Sequence, residues 1–191
     1  MAAPPPQVEG FPPKCALIEI HVSDLKELFN SLDPTPFLKR DLDREAEEFI
    51  VSWAREMPRD VPFGLLVHHD RNVPPDASET VHAAVRDHFA RSATDTRRNL
   101  RQLFRVGRIS LVIGLAVVGG SVIAGEAIET TLMEGNRFGG VIGESLLIGG
   151  WVAMWRPLEI FLYEWWPIRA EARLFERLSN MIVRVVRTRD A

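Results

Sequence analysis

Two stretches, residues 109–125 and 138–155, decide most of what this chain can become. The first, ISLVIGLAVVGGSVIAG, holds no charge, and extending it to Ile128 adds only Glu126. The second holds one charge, Glu144. A helix that crosses the hydrocarbon of a bilayer needs about 20 mostly apolar residues. In a soluble chain two helices apolar on every side would have to be buried whole, which a protein of 191 residues can hardly do. The link between them, residues 129–137, is polar and contains Gly135 and Asn136, which suits the turn of a helical hairpin. The expectation is a transmembrane hairpin over 107–155, with spans at 109–128 and 138–155.

Charge is partitioned around those stretches. Residues 1–90 carry 9 basic and 16 acidic side chains, and residues 91–108 carry 6 Arg against one Asp. Residues 109–166 carry 2 Arg and 6 Glu, and residues 167–191 carry 6 Arg and 3 acids. Arg97, Arg98, Arg101, Arg105 and Arg108 precede the first span, and Arg156, Arg169, Arg173 and Arg177 follow the second. The positive-inside bias puts both termini in the cytoplasm and the link outside. Arginines beside a span pair with anionic head groups, so a lipid collar explains the run 97–108 better than a nucleic-acid patch does. The leader, residues 1–15, reads as disordered and proline-rich, and it is no secretory signal. The single cysteine, Cys15, excludes an internal disulfide and reads as an incidental thiol.

Small residues recur four apart in both spans. The pairs are Ser110/Gly114, Ala116/Gly120, Gly120/Ala124 and Ser121/Gly125 in the first, and Gly139/Gly143, Ser145/Gly149 and Gly149/Ala153 in the second. Such rows let helices approach closely. Gly114, Gly120, Ser121, Gly125, Gly139, Gly143 and Gly149 are the expected packing positions. Their use is either to join the two spans of one hairpin or to hold a second copy or a larger membrane protein. Glu144 and Glu126 are the intramembrane carboxylates. Such a group is costly in lipid and has a partner or a role: a hydrogen bond to Ser121 or a neighbouring chain, or proton and cation handling.

The stretch after the second span, WVAMWRPLEIFLYEWWPIRAE, crowds Trp151, Trp155, Tyr163, Trp165 and Trp166 around Arg156. Such rings prefer the membrane–water boundary. Pro157 removes a backbone donor and should kink or end the span. Residues 156–167 then form an interfacial aromatic helix, with an Arg156–Glu159 pair. Its use is an anchor, or a lipid or partner site built on Arg156, Glu159 and Glu164.

The remainder reads as a small α+β domain over 16–106, completed by residues 168–191. Residues 16–22 alternate as a half-buried strand. Ser23 caps a short helix over 24–31, and 32–37 is a turn with two prolines. Asp41 caps the next helix, whose apolar stripe is Leu42, Ala46, Phe49, Ile50, Trp53 and Ala54. Residues 61–69 form a second strand, and 74–78 a loop. A helix beginning near Glu79 meets no proline as far as Ile128. Unbroken, it would be about 75 Å long, with a break conceivable over 90–95. Residues 169–179 are helical. Residues 181–187 suit a third strand by their β-branched content, with continued helix as the competitor.

Residues with catalytic chemistry are sparse. His68 and His69 follow one another on a strand and point to opposite faces, so they do not chelate one ion. His82 and His88 are six apart, not the four of a helical metal pair. Residues 39–43 read as capping and solvated charge. No metal, cofactor or nucleic-acid partner is expected.

The segments LFNSLDPTPF, RDLDREAEEFIV and IGGWVAMWRPLEIFLYEWWPI resemble a family of bacterial inner-membrane proteins usually described as hypothetical. The resemblance covers most of residues 16–187. It implies a multi-pass inner-membrane location and no activity. Taken together, the sequence points to a membrane-anchored, non-enzymatic scaffold or accessory protein, with a homo-oligomer or a membrane-protein partner. The alternatives are a subunit of a small-ion or proton transporter using Glu144, and a membrane-tethered hydrolase using His68, His69 and Asp70.

Overall fold

The computed structural model describes residues 10–12, 14–29, 41–58, 60–70, 77–131 and 137–187. Along the chain run β1 (Ala16–Val22), a 3₁₀ turn (Leu25–Leu28), α1 (Arg44–Glu56), β2 (Phe63–His69) and α2 (Ala77–Thr131). These are followed by α3 (Arg137–Glu159), a π-helical turn (Ile160–Glu164), α4 (Trp165–Ser179) and β3 (Ile182–Arg187). The protein is mostly helical, with one small sheet and two long apolar helices. It divides into two compact units: the residues up to Asp95 together with those from Glu171, and Thr96–Ala170. The turn expected at 32–37, Lys39 and Arg40, most of the leader, most of the 74–78 loop and the centre of the 129–137 link lie outside the described residues.

The sheet has the order β1-β2-β3, and both pairings are parallel. Parallel neighbours need a crossover, which α1 supplies between β1 and β2 and the long helical excursion supplies between β2 and β3. Alternation divides the sheet into two faces. Ile18, Leu65, Val67, Val183 and Val185 face a core shared with Ile50 and Ala54 of α1, Val81, Val85 and Phe89 of α2, and Leu178 of α4. The other face carries Glu19, His21, His68 and Arg184, in the register that pairs His21 with His68 and Leu66 with Arg184. Residues 182–187 form the third strand. Asn180 stops α4, its side-chain amide donating to the Glu176 carbonyl at 2.7 Å. Ser78, at the start of α2, then holds the free edge of β3 by accepting from Val185 N at 3.0 Å.

Three local expectations are corrected. Over the described part of the helix expected at 24–31, residues 24–29, there is only the 3₁₀ turn, because Phe29 pairs with Leu42 in an antiparallel bridge and leaves the turn for the core. That bridge also holds Leu42 out of α1, so the N-cap is Asp43 rather than Asp41. The Asp43 carboxylate accepts from Glu45 N at 3.0 Å, a cap that contributes about 1 kcal/mol. The buried stripe of α1 is Ile50, Val51 and Ala54, with Ala46 and Met57 packed beside it. Phe49 and Trp53 are 42% and 48% exposed.

Arg177 of α4 ties the chain before β2 to the core. Its guanidinium donates to the carbonyls of Pro58 at 3.0 Å and Val61 at 2.9 Å, and lies 4.0 Å over the Phe63 ring. In α2, residues 90–95 are helical without the break considered above. Ser92 and Thr94 turn their hydroxyls back onto the carbonyls of His88 and Ala90, which spares those polar groups a competing local structure.

Pro157 does not end α3. The helix continues to Glu159 and passes through the π-helical turn into α4, so no separate helix spans 156–167. Proline withholds the N–H that would reach the Ala153 carbonyl. The wider turn that follows resets the hydrogen-bond ladder instead of breaking it.

Candidate functional site

α2 and α3 contain the apolar windows, and both are long and apolar enough to cross a membrane. Only 6% of the first window and 17% of the second is buried. Val112, Ile113, Ile123, Val152, Trp151 and Trp155 are each more than half exposed. The core helix of a soluble protein is buried, and these are not.

The two helices run antiparallel, and four glycines set how closely they approach. A Cβ on Gly114 would stand 3.3 Å from the Ala153 carbonyl oxygen, and one on Gly150 would stand 3.2 Å from the Val118 Cα. A Cβ on Gly125 would stand 3.7 Å from the Gly143 Cα, and one on Gly150 would also stand 3.5 Å from Ser121 Oγ. Gly107 faces Ile160 of the π-helical turn, where a Cβ would stand only 2.9 Å from that side chain. Of the packing positions expected from sequence, Gly114, Ser121, Gly125 and Gly143 lie between the helices. Gly120 and Gly149 meet nothing within 4 Å, and the surroundings of Gly139 lie outside the described residues. Gly107 and Gly150 join the set. Their signal is the residue each meets across the antiparallel pair, Ile160 for Gly107 and Val118 for Gly150; it requires the helix register and is invisible to a four-residue count along one helix.

Glu126 and Glu144 are both exposed on their helices. Arg97, Arg98, Arg101, Arg105 and Arg108 are all exposed along α2.

Arg156 is the centre of a polar clamp. Its guanidinium donates to Glu159 at 2.9 Å and also to Glu164 on the far side of the π-helical turn. An α-helical partner at i+3 is ordinary; the second carboxylate is brought in by the turn. One cation against two carboxylates leaves the clamp net negative, so it is no ready anion site. Trp151, Trp155, Tyr163 and Trp166, on either side of it in sequence, are exposed rings, each at least 65% exposed. Trp165 differs from them. It is half-buried, donates its indole N–H to the Phe161 carbonyl at 2.9 Å and packs 6.3 Å from Phe104.

The sheet unit holds two further constellations. His68 stacks on His21 at 4.3 Å with its Nε2 3.7 Å from Glu19, whereas His69 is buried on the opposite face. His68, His69 and Asp70 therefore do not form one site. Sequence reasoning missed the second constellation. His88 is buried in α2 between the Asp41 and Glu47 carboxylates, at 3.4 Å each, and its Nδ1 receives the Leu42 N–H at 3.4 Å. Arg91 reaches Asp41 at 3.0 Å and Asp87 at 3.6 Å. The available signal was the stripe Val81, Val85, His88, Phe89, which puts His88 on the core side of α2. Among the described residues, no group of three or more His, Cys, Asp or Glu is arranged to hold a metal ion.

No protein-family model, no curated protein and no solved structure matches this chain.

Proposed function

We propose that the protein is a membrane-anchored accessory or scaffold protein without enzymatic activity. In this reading α2 and α3 cross the bacterial inner membrane as a hairpin, and the sheet unit works in the cytoplasm as an interaction domain. The observation that carries the reading is the exposure of the apolar windows. Side chains such as Ile123 and Trp155, both 71% exposed, would each cost about 1.5–3 kcal/mol to leave in water instead of an apolar surrounding. Lipid supplies that surrounding. In sequence, arginines at 97–108 precede the pair and arginines at 169–177 follow it, while the link between the helices holds only Arg137, which supports cytoplasmic termini. The exposed aromatic rings and the Arg156 clamp then lie at the inner membrane–water boundary as an anchor.

Cysteine accessibility tests the topology in a Cys15→Ser background. With Glu134→Cys, an impermeant maleimide should label intact spheroplasts. With Asp70→Cys, it should label only after lysis. Labelling of Asp70→Cys in intact spheroplasts would reverse the orientation, and with it the placement of the interaction domain.

A further inference from the structure

α1 buries Ile50, Val51 and Ala54 in the core and turns two of its largest side chains outward. Phe49 and Trp53 stand one turn apart with ring centroids 6.0 Å from each other, tilted at 51°. Positions 45, 49, 52, 53 and 56 repeat at helical spacing and share a face. The aromatic pair is therefore framed by Glu45 at one end and Glu56 at the other, with Glu48 further round the exposed side of the helix; all three acids are exposed. None of the three is in an ion pair among the described residues. Arg55 of the same helix is engaged by Glu171 at 3.2 Å.

We propose that this face, Phe49 and Trp53 inside a rim of Glu45, Glu48 and Glu56, is the docking surface for a basic amphipathic helix of a partner protein. The proposal rests on the reading of the chain as a membrane-anchored interaction protein and names the surface that such a role needs. The aromatic pair supplies the anchor. Trp is enriched among the side chains that dominate binding energy, and each large ring can bury 150–250 Å². The rim supplies the selection. Three carboxylates attract Lys and Arg and repel acidic partners. The same rim disfavours the other two occupants. A bilayer with anionic head groups repels it, and a second copy bringing the same face would set acid against acid across a two-fold axis.

The test uses the full chain in nanodiscs of zwitterionic lipid and a fluorescent helical peptide of Leu and Lys, with a Leu and Glu peptide as its counterpart and empty discs subtracted. The basic peptide should bind, more weakly as salt is raised, and the acidic one should not. Phe49→Ala with Trp53→Ala should weaken binding about tenfold or more. Glu48→Gln with Glu56→Gln should weaken it and flatten the salt dependence. These positions are exposed, so melting temperatures should be unchanged. Trp53→Lys gives an independent check, since it should repel the basic peptide without touching the core. Equal binding by these variants, or binding of the acidic peptide, would overturn the proposal. So would a change of oligomeric state in the aromatic variant, which would give the face to a second copy, or loss of its binding to anionic vesicles, which would give it to lipid. Insertion into the discs is scored separately: a chain that inserts and ignores the peptide loses only the docking surface, and a chain that fails to insert loses the anchored reading.

Discussion

The carbonyl of Ala153 faces Gly114: a Cβ at that glycine would stand 3.3 Å from the carbonyl oxygen. Ala153 is also the residue whose carbonyl Pro157 deprives of its usual intrahelical N–H. The two facts belong together. A glycine on α2 lets its backbone approach the place where the ladder of α3 is interrupted.

Bulk at that point should part the pair. Gly114→Leu or Gly150→Leu must displace the opposing backbone, and overpacking of this sort costs about 1–3 kcal/mol. Gly120→Leu points into open space and should change stability by no more than about 0.5 kcal/mol. Cross-linking yield between cysteines placed at Gly125 and Gly143 in native membranes reads the difference. Equal losses at Gly114 and Gly120 would contradict the helix register described above.

Gly64 opens the outer face of the sheet to the chain before β1. A Cβ there would come 2.6 Å from the Phe11 ring and 2.9 Å from Cys15 Sγ. Gly64→Ala should push this segment off the sheet. Burial holds the Cys15 thiol above the ordinary cysteine range. The folded state therefore favours the neutral thiol. The associated stability is present below the ordinary cysteine range and is lost as pH rises through the raised value. The pH profile of maleimide labelling should shift to lower pH in Gly64→Ala, toward that of a free thiol. An unshifted profile would mean that the segment does not depend on Gly64.

His88 holds the chain entering α1. His88→Ala removes the acceptor of the buried Leu42 N–H and the group between Asp41 and Glu47. An unsatisfied buried donor costs about 1–3 kcal/mol. His82→Ala, at a half-buried position one and a half turns earlier on α2, should cost less than about 0.5 kcal/mol. Thermal melts in detergent separate the two, and similar values would show that His88 is not a fastening point.

The features that the sequence made plain are those with a strong local cause. The apolar windows, the β-branched run of β3 and the i,i+3 pair of Arg156 with Glu159 needed no knowledge of the rest of the chain. What remained hidden depended on distant partners. Leu42 looks like the first apolar residue of a helix, yet its bridge to Phe29 places it before the cap. Phe49 and Trp53 fit the apolar period of α1 as well as Ile50 and Ala54 do. Glu164 joins Arg156 because a π-helical turn intervenes, and Pro157 by itself left a kink and a stop equally open where the chain makes that turn. His88 became visible only when its stripe on α2 met the loop before α1.

Extraction of washed membranes with alkaline carbonate, without detergent, tests the central claim most directly, because it strips proteins held by charge and leaves those held by apolar spans. The account predicts that the full-length protein stays in the high-speed pellet and enters solution only with detergent. Recovery of folded protein in the carbonate supernatant would contradict it.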